Sequence, residues 1–411
     1  MVEPHPPQPR ETEANASLRC RKGHRSDRIL ARVGAPREVG VGLIGVGWMG
    51  RAHAIAYGRV AHHYPECEAL PRLVIAADDV LSRAELARER LGFEQATGDW
   101  REVVAHPEVE AVSIATPNVL HREVALAAAA AGKHFWAEKP LGRFPHETAD
   151  VAAAVEEAGI RTVVGLNYRH APAVQHAKQL IDSGRLGEIT RYRGCYLGDY
   201  ASDPQVPLSW RYLREFAGLG VLGDVMSHVA DLAHLLVGPI SRVTAQMETQ
   251  IRRRPKPTSG TGAVENEDAV SSLVEFSSGV RGSLEATRVL VGRHVEMSFE
   301  VHGTEGALRW DFQRLNELEV YLPLVSGDEG FATVFMKPGH PEYARFQPAP
   351  AMPVSFDDLK VIEAHLFLQS VADGRQRAPG VREMLEAAKV IDAMVRSSES
   401  GRWEDVRQLG S

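Results

Sequence analysis

The fold class predicted from this 411-residue sequence is α/β, with a doubly wound parallel sheet followed by an α+β domain that holds a large, mostly antiparallel sheet. From residue 39 to RTVVGLNYR, short apolar runs alternate with helical patterns, which is typical of parallel strands joined by helices. After residue 167, strand-like runs such as AVSSLVEF and HVEMSFEVHG follow one another through short turns, which indicates antiparallel pairing. The length also favours two domains.

The composition is that of a globular protein, with 44% apolar and 25% charged residues. A net charge of −7 argues against nucleic acid or an anionic membrane as partner. The apolar runs, such as VALAAAAAG, are too short to span a bilayer. Three separated cysteines without CxxC spacing favour a reducing, cytoplasmic location. Residues 1–38, rich in Pro, Arg and Glu, are predicted to be a disordered tail.

The first functional motif lies in VGLIGVGWMG, where the apolar run 41–44 leads into Gly45-x-Gly47-x-x-Gly50 and a helical pattern. The first glycine makes the turn, the second lets the backbone approach a pyrophosphate, and the third lets helix and strand pack closely. The amides at the helix start then donate to the phosphates. Residues 39–166 are therefore predicted to be an NAD(P)-binding Rossmann domain.

The second strand, RLVIAADD, ends in Asp78 and Asp79. An acid at this position can accept hydrogen bonds from the adenosine ribose and would repel the extra phosphate of NADP. The alternative is that Asp78 only caps the following helix. The sequence favours NAD over NADP.

Further polar residues follow the next strands, in ATPNVLH and AEKP. The carboxyl ends of parallel strands meet at one edge of the sheet, where ligands bind, so these residues should line one crevice. The predicted cofactor-binding residues are Gly45, Gly47, Trp48, Met49, Gly50, Asp78, Thr116, Asn118, His121, Glu138 and Lys139.

The stretch GDVMSHVAD places Asp224 and His228 four residues apart in an apolar helical pattern, hence on one face. An incidental ion pair at a helix end is the alternative. A neutral histidine can take the proton of a hydroxyl that is being oxidised, and an aspartate beside it can orient the ring and raise its basicity. A lysine such as Lys139 can hydrogen-bond the same oxygen. These three residues are the predicted catalytic set.

The motifs GLIGVGWMG, ATPNVLH, AEKP, NYR and GDVMSH, in this order and spacing, resemble the Gfo/Idh/MocA oxidoreductase family over residues 39–400. The resemblance places that family's catalytic lysine on Lys139 and its DxxxH pair on Asp224 and His228. It implies that residues 167–411 form a substrate-binding and oligomerisation domain, whose open sheet would make a homodimer or homotetramer.

Within the family, YLGDYASDPQVPLSWRYL, SLEATRVLVGR and HGTEGALRWDF look most like the levoglucosan dehydrogenase branch. That likeness implies NAD-dependent oxidation of a secondary hydroxyl to a ketone, at the 3-position of an anhydrosugar or on a related sugar or cyclitol. For the pocket candidates outside the catalytic set, ordinary packing or an ion pair is an equal alternative. The predicted substrate-binding residues are Lys139, Tyr168, Arg169, Tyr200, Trp210, Arg211, Asp224 and His228.

Two other functions stay open at this point. An NAD-dependent glycoside hydrolase would oxidise a sugar, eliminate its aglycone and return the hydride, with no net redox change. A non-catalytic nucleotide-binding protein is the other alternative, which the intact Lys139, Asp224 and His228 disfavour. The remaining histidines are scattered, and no metal site is predicted.

Overall fold

The structure, a computed structural model, describes residues 36–322 and 330–409. Residues 1–35 of the predicted tail lie outside the described residues. The first strand begins at Arg37, two residues before the predicted start of the domain.

The amino-terminal elements alternate between strand and helix, as predicted. Their strands form a parallel sheet of order β3-β2-β1-β4-β5-β6 within the described residues. The inner strand β4 is buried along its whole length, as expected for a parallel sheet covered on both faces. The elements are β1 Arg37–Ile44, α1 Trp48–His63, β2 Ala69–Ala77, α2 Leu81–Arg90, β3 Gln95–Thr97, α3 Trp100–Ala105, β4 Ala111–Ile114, α4 Asn118–Ala130, β5 His134–Ala137, α5 Pro145–Ala158 and β6 Thr162–Val164.

The second part is built on a nine-stranded sheet, as far as the chain is described, of order β16-β15-β14-β13-β7-β12-β11-β8-β17. Neighbouring strands pair antiparallel except β7 and β12, which pair parallel, so the predicted mostly antiparallel sheet is confirmed. Its strands are β7 Ile189–Gly198, β8 Ile240–Glu248, β11 Ala269–Phe276, β12 Arg281–Thr287, β13 Val295–Gly303, β14 Ala307–Asp311, β15 Glu317–Tyr321, β16 Ala332–Phe335 and β17 Glu404–Asp405, with a separate pair β9 Arg253–Pro255 and β10 Thr261–Ala263.

One face of this sheet packs on helices and the other is open. Along β11 the even positions, such as Val270 and Val274, are buried, whereas Leu273 is 48% exposed. This alternation follows from the period of two along a strand. The helices of this part are α6 Pro172–Asp182, α7 Arg214–Ala217, α8 Ser227–Leu236, α9 Tyr343–Phe346, α10 Phe356–Asp373 and α11 Val381–Ser400.

Helix α10 returns to the first sheet, although it lies about 190 residues beyond the predicted domain boundary. Phe367 and Leu368 share one buried cluster with Tyr57 and Trp136 of the first domain. After α10, the carbonyl of Pro379 accepts a hydrogen bond of 2.9 Å from the amide of Val164 at the edge strand. Helix α10 therefore completes one covering layer of the parallel sheet.

One segment of the described residues, Arg214–Leu236, is long and apolar enough to suit a membrane span by composition. Most of it is buried inside the fold, where residues such as Leu222 and Leu232 belong to the main core cluster. Core packing accounts for its apolar character.

Candidate active site

The glycine-rich turn has the geometry that its motif predicts. Gly45 has a φ of +91°, and a Cβ atom there would lie 2.6 Å from the carbonyl oxygen of Ala115. A Cβ atom on Gly50 would lie 1.8 Å from the carbonyl oxygen of Gly45, so α1 can approach β1 only through a glycine. Gly47 faces open space, since a Cβ atom there would meet nothing within 4 Å.

These residues fit a dinucleotide. Gly47 precedes the 16-residue helix α1, whose first amides receive no side-chain cap and face no acidic residue in the first turn. Such amides are donors for phosphate oxygens. Thr116 follows β4, the neighbour of β1 in the sheet. Its buried Oγ1 has no hydrogen-bond partner among the described residues and is free to bind a ligand.

Asp78 lies at the end of β2, as predicted, but its carboxylate is already engaged. Oδ2 accepts a hydrogen bond of 2.8 Å from the amide of Val46 in the glycine-rich turn, and Oδ1 accepts one of 3.0 Å from the amide of Val80. Asp78 thus ties the turn to the start of α2, which is close to the capping role considered above. Asp79 beside it is exposed. Ribose binding by Asp78 stays a prediction.

His121 and Asn118 hold backbone segments of the crevice. The ring nitrogens of the buried His121 lie 2.6 Å and 2.8 Å from the carbonyl oxygens of Pro140 and Thr116. Burial lowers the pKa of His121. Asn118 donates to the carbonyl of Ala217 in the second domain at 3.1 Å. These contacts favour a positioning role for both residues over the predicted cofactor contact.

Glu138 faces a buried charge network instead of the open crevice. Its Oε1 lies 3.0 Å from Nε2 of His53 and 2.6 Å from Nζ of Lys360, which in turn lies 2.8 Å from Oε2 of Glu363. Burial opposes ionisation of Glu138, but Lys360 and His53 outweigh it and hold its pKa below the usual range. Burial lowers the pKa of His53 to about 4 and raises that of Glu363 to about 7. Glu138 thus takes part in an ion pair that joins β5 to α10, and its cofactor role stays a prediction.

Asp224 lies in a π-helical turn, Leu222–Met226, that leads directly into α8. Such wide turns are frequent at functional sites. Nζ of Lys139 donates to the carbonyl oxygen of Asp224 at 2.5 Å and to its Oδ1 at 2.8 Å. The hydroxyl of Tyr200 donates to Oδ2 at 2.9 Å. Three of the predicted residues, from two domains, are therefore in direct contact.

The electrostatics of this contact favour a carboxylate. Burial alone would raise the pKa of Asp224, but the Lys139 ammonium, the Tyr200 hydroxyl and the charge of Arg211 hold it below the usual range. The pKa of Tyr200 is raised well above 10, first by burial and then by the negative charge of Asp224. Asp224 is thus ionised and Tyr200 is a neutral donor at neutral pH.

His228 is buried next to this group, with a rim of aromatic residues. Its ring meets that of Tyr168 edge-on, with centroids 4.7 Å apart. Burial, and then the neighbouring Tyr196, raise the pKa of Tyr168 well above 10. Nδ1 of His228 has no hydrogen-bond partner among the described residues. Burial, followed by the charge of Lys139, lowers the pKa of His228 well below 6.5, so the ring is a neutral base.

The pairing of Asp224 with His228 differs from the prediction. The carboxylate oxygens of Asp224 bind Lys139 and Tyr200, so the aspartate does not orient the imidazole by a hydrogen bond. Its charge raises the pKa of His228, but burial and Lys139 outweigh that effect. The gain in basicity predicted for His228 is therefore present but outweighed by burial and by Lys139.

Of the pocket candidates, Arg169 is tied elsewhere: its guanidinium forms a buried, bidentate ion pair with Asp231. This pair favours the ion-pair alternative considered from the sequence, and the role of Arg169 as a sugar ligand stays a prediction. Trp210 and Arg211 stack on each other, with the guanidinium carbon 4.5 Å from the indole centroid. Arg211 also acts on the charge of Asp224, which places this pair near the site.

Sequence reasoning missed Tyr196, His53 and Lys360. Lys360 and Glu363 had a usable signal, because a lysine and a glutamate three residues apart interrupt the apolar pattern of α10. Tyr196 and His53 had none, since their partners Tyr168 and Glu138 are distant in sequence. Among the described residues no group of three His, Cys, Asp or Glu side chains is arranged to hold a metal ion.

Two family models match the chain. Residues 39–166 match an oxidoreductase family model described as an NAD-binding Rossmann fold, and residues 174–309 match the GFO/IDH/MocA C-terminal domain. The prediction of an oxidoreductase with an NAD-binding domain is confirmed.

Individual relatives agree with the family models. The levoglucosan dehydrogenase of Pseudarthrobacter phenanthrenivorans is 40% identical over 390 residues, covering 91% of this chain and 100% of that protein. The scyllo-inositol 2-dehydrogenase (NAD(+)) of Bacillus subtilis is 29% identical, covering 63% of this chain and 72% of that protein.

The solved structures include a levoglucosan dehydrogenase in complex with NADH and levoglucosan. It matches with a TM-score of 0.88 and 40% identity, covering 90% of this chain and 100% of that one. The predicted likeness to this branch is thereby confirmed. The chain belongs to the Gfo/Idh/MocA family of oxidoreductases.

Proposed function

We propose that the protein oxidises a secondary hydroxyl of a sugar, anhydrosugar or cyclitol to a ketone with NAD, and that a levoglucosan-like anhydrosugar reacting at position 3 is its substrate. The observation that carries this proposal is the contact of Lys139 with Asp224 beside a buried, neutral His228. The family is one of NAD-binding oxidoreductases, and these residues supply what alcohol oxidation requires from a protein.

Each residue of the site has a separate task in the proposed reaction. Nζ of Lys139 retains a hydrogen for the substrate hydroxyl, because it uses two on Asp224. It thereby orients the oxygen and favours negative charge on it. Bound NAD would accept the hydride from the adjacent carbon. His228 accepts the hydroxyl proton, for which a low pKa keeps its ring nitrogen free.

Asp224 and Tyr200 hold the lysine in place. The Asp224 carboxylate bridges Nζ of Lys139 and the hydroxyl of Tyr200. Because this chain of contacts joins a strand end of the first domain to a loop of the second, it fixes the distance between the two walls of the crevice. The reacting oxygen would thus be held in one orientation, which lowers the entropic cost of reaching a reactive geometry.

The choice of an anhydrosugar is supported by similarity. The levoglucosan dehydrogenase relative is matched over its full length, and inositol dehydrogenases are matched at lower identity. Cyclitols and pyranose sugars share a ring of secondary hydroxyls. A few pocket contacts decide among them.

A first experiment measures NADH absorbance with purified protein, NAD or NADP, and levoglucosan, glucose, aryl glucosides and inositols. We expect NADH to accumulate with levoglucosan and NAD. Accumulation with another sugar or an inositol would change the substrate and keep the reaction class. Release of the aglycone from an aryl glucoside without net NADH would establish the redox glycosidase. Neither signal with any compound would contradict the dehydrogenase.

We also infer that the open face of the large sheet joins subunits into a homodimer or homotetramer. This face carries Arg193, Leu273, Glu285 and Glu296, an apolar centre among charges of both signs. Light scattering of the native protein tests it. Leu273→Glu should lower the measured mass to that of a smaller assembly, and a native monomer would contradict the inference.

We place the protein in the cytoplasm. Cys67 and Cys195 are both free thiols, and Cys67 is buried, as in proteins of reducing compartments. Fractionation of the source cells with an antibody would test this location, and recovery outside the cytoplasm would contradict it.

A further inference from the structure

A short segment between β10 and β11 contacts two parts of the site. One is the loop that carries Trp210 and Arg211, here called the substrate-side loop. The other is the π-helical turn with α8, which carries Asp224 and His228 and is here called the catalytic helix. We call the segment itself the acidic strip, residues Glu265, Asn266, Glu267 and Asp268. Three of its four residues are buried, although all four side chains are polar. Buried polar groups are costly unless they are hydrogen-bonded, so their partners indicate what the strip holds.

Glu267 holds the start of the catalytic helix. Its Oε1 accepts a hydrogen bond of 2.9 Å from the amide of Leu222, the first residue of the π-helical turn. Its carbonyl oxygen accepts one of 3.2 Å from the amide of Val221. Gly220 packs so closely that a Cβ atom there would lie 2.0 Å from the carbonyl oxygen of Glu267. Asp224 lies two residues beyond Leu222.

Asn266 holds the preceding loop. Its Nδ2 donates to the carbonyl oxygen of Arg211 at 3.0 Å and to that of Gly218 at 3.4 Å. Its Oδ1 accepts from Nη2 of Arg288 at 2.9 Å. Arg288 is itself buried and paired with Asp268, with Nε 2.7 Å from Oδ1. The side-chain amide of Asn266 thus connects the loop that carries Arg211 to the buried ion pair of Asp268 and Arg288.

We propose that Glu267 and Asn266 are positioning residues with separate tasks, Glu267 for the catalytic helix and Asn266 for the substrate-side loop. The proposal rests on the proposed function above. Glu267 acts through Leu222 on Asp224, and hence on the lysine that orients the hydroxyl. Asn266 acts through the backbone of Arg211 on the wall that meets the sugar. Neither residue touches substrate or cofactor.

The division of tasks predicts a division of kinetic effects. A shift of about 1 Å in a catalytic group costs on the order of 100-fold in rate. Loss of the Glu267 cap should therefore lower kcat. Loss of the Asn266 contact changes the loop that binds the sugar, and should raise KM with a smaller effect on kcat.

The first test compares Glu267→Ala, Glu267→Asp and Glu267→Gln with levoglucosan as substrate. Alanine removes the side-chain oxygen that accepts from the amide of Leu222, and the shorter aspartate moves that oxygen away from the amide. Both substitutions should therefore lower kcat by about tenfold or more. Glutamine keeps an oxygen for the amide of Leu222 and should restore most of kcat. NADH affinity, measured by fluorescence titration, should stay unchanged in all three. A Glu267→Gln variant as slow as Glu267→Ala would overturn the capping role, because charge would then be the decisive property.

The second test uses Asn266→Ala, with Glu265→Gln as the matched control on the same strip. Glu265 is exposed and accepts from the amide of Arg214 at 2.9 Å, a contact that glutamine can keep. Asn266→Ala should raise KM for the sugar by about tenfold, the effect of one or two lost buried hydrogen bonds. Glu265→Gln should match the native enzyme. An unchanged KM in Asn266→Ala, or a loss confined to kcat, would overturn the proposed task.

A third measurement does not need turnover. Peptide mass spectrometry follows the acylation of Lys139 by acetic anhydride, with the exposed Lys256 as internal reference. Lys139 should react faster in Glu267→Asp than in the native protein, because its contacts to Asp224 loosen, and at the native rate in Asn266→Ala. Equal rates in all three proteins would overturn the proposal. If the native enzyme oxidises no sugar, the proposed function fails, whereas this labelling still decides the role of Glu267.

Discussion

Nζ of Lys139 donates both to the backbone carbonyl oxygen of Asp224, at 2.5 Å, and to its carboxylate, at 2.8 Å. Lys139 follows a strand of the parallel sheet, and Asp224 lies in the turn before α8. One ammonium group therefore connects the two walls of the crevice through two different groups of a single residue. Replacing the carboxylate alone would leave the carbonyl contact, so the lysine position depends on the π-helical turn as well as on charge.

Substitution of His228 tests the proposed base. His228→Ala should lower kcat by roughly 100- to 10,000-fold, the usual contribution of a general base. NAD binding should be kept, because the glycine-rich turn is untouched. The rate of NADH formation at saturating substrate measures kcat, and fluorescence titration measures the affinity for NADH. His234→Gln on the same helix is the control, and near-native turnover in His228→Ala would place the base elsewhere.

The acid side of the pH profile tests the state of His228. Only the neutral ring accepts a proton, and burial together with Lys139 lowers its pKa well below 6.5. A lowered pKa keeps the base neutral as the pH falls, so kcat/KM should decline only below pH 6.5. A profile of kcat/KM against pH measures the inflection. A decline centred at or above pH 6.5 would contradict a buried, neutral His228.

Asp78→Ala tests the ribose contact. The variant should weaken the binding of NAD by about 1.5–3 kcal/mol, the value of a hydrogen bond to a charged group. It should also reduce the preference of the enzyme for NAD over NADP. Part of the loss would come from the glycine-rich turn, since Asp78 also holds the amide of Val46. Dissociation constants for NADH and NADPH measure both effects. Asp79→Ala, at the exposed neighbour, should change neither, and an unchanged preference in Asp78→Ala would move the ribose contact to another residue.

Lys360→Met tests the buried network at Glu138. The substitution leaves two buried carboxylates without their cation, which should cost about 3–5 kcal/mol in the free energy of unfolding. Denaturant unfolding measures that loss. The control is Lys178→Met, which removes an exposed i,i+4 ion pair with Asp182 and should cost at most about 0.5 kcal/mol. Equal stability of Lys360→Met and the native protein would show that the network contributes nothing.

The architecture was largely predictable because it follows from short-range patterns. Alternating apolar runs gave the parallel sheet, and β11 begins and ends where AVSSLVEF does. The glycine motif predicted the turn, since Gly45 needs a positive φ and Gly50 has no room for a side chain. Lys139 and Asp224 were brought together as expected.

The partners of buried charges could not be predicted, because they come from distant parts of the chain. Arg169 and Glu138 looked like ligands of the crevice, yet they face Asp231 and Lys360. A charged residue after a strand has the same local pattern whether it meets a ligand or an ion partner. The sequence also shows no mark of the π-helical turn, which depends on how Lys139 and Glu267 hold the backbone around Asp224.

The position of α10 has a consequence for biosynthesis. Phe367 and Leu368 fill the same buried cluster as Tyr57 and Trp136. Domains generally fold as units while the ribosome extends the chain from its amino terminus. Here the nucleotide-binding half lacks part of its interior until α10 has emerged, about 190 residues after the last strand of its sheet. Nascent chains released before that point would expose an apolar surface on the parallel sheet, and they would be clients for chaperones or substrates for proteases.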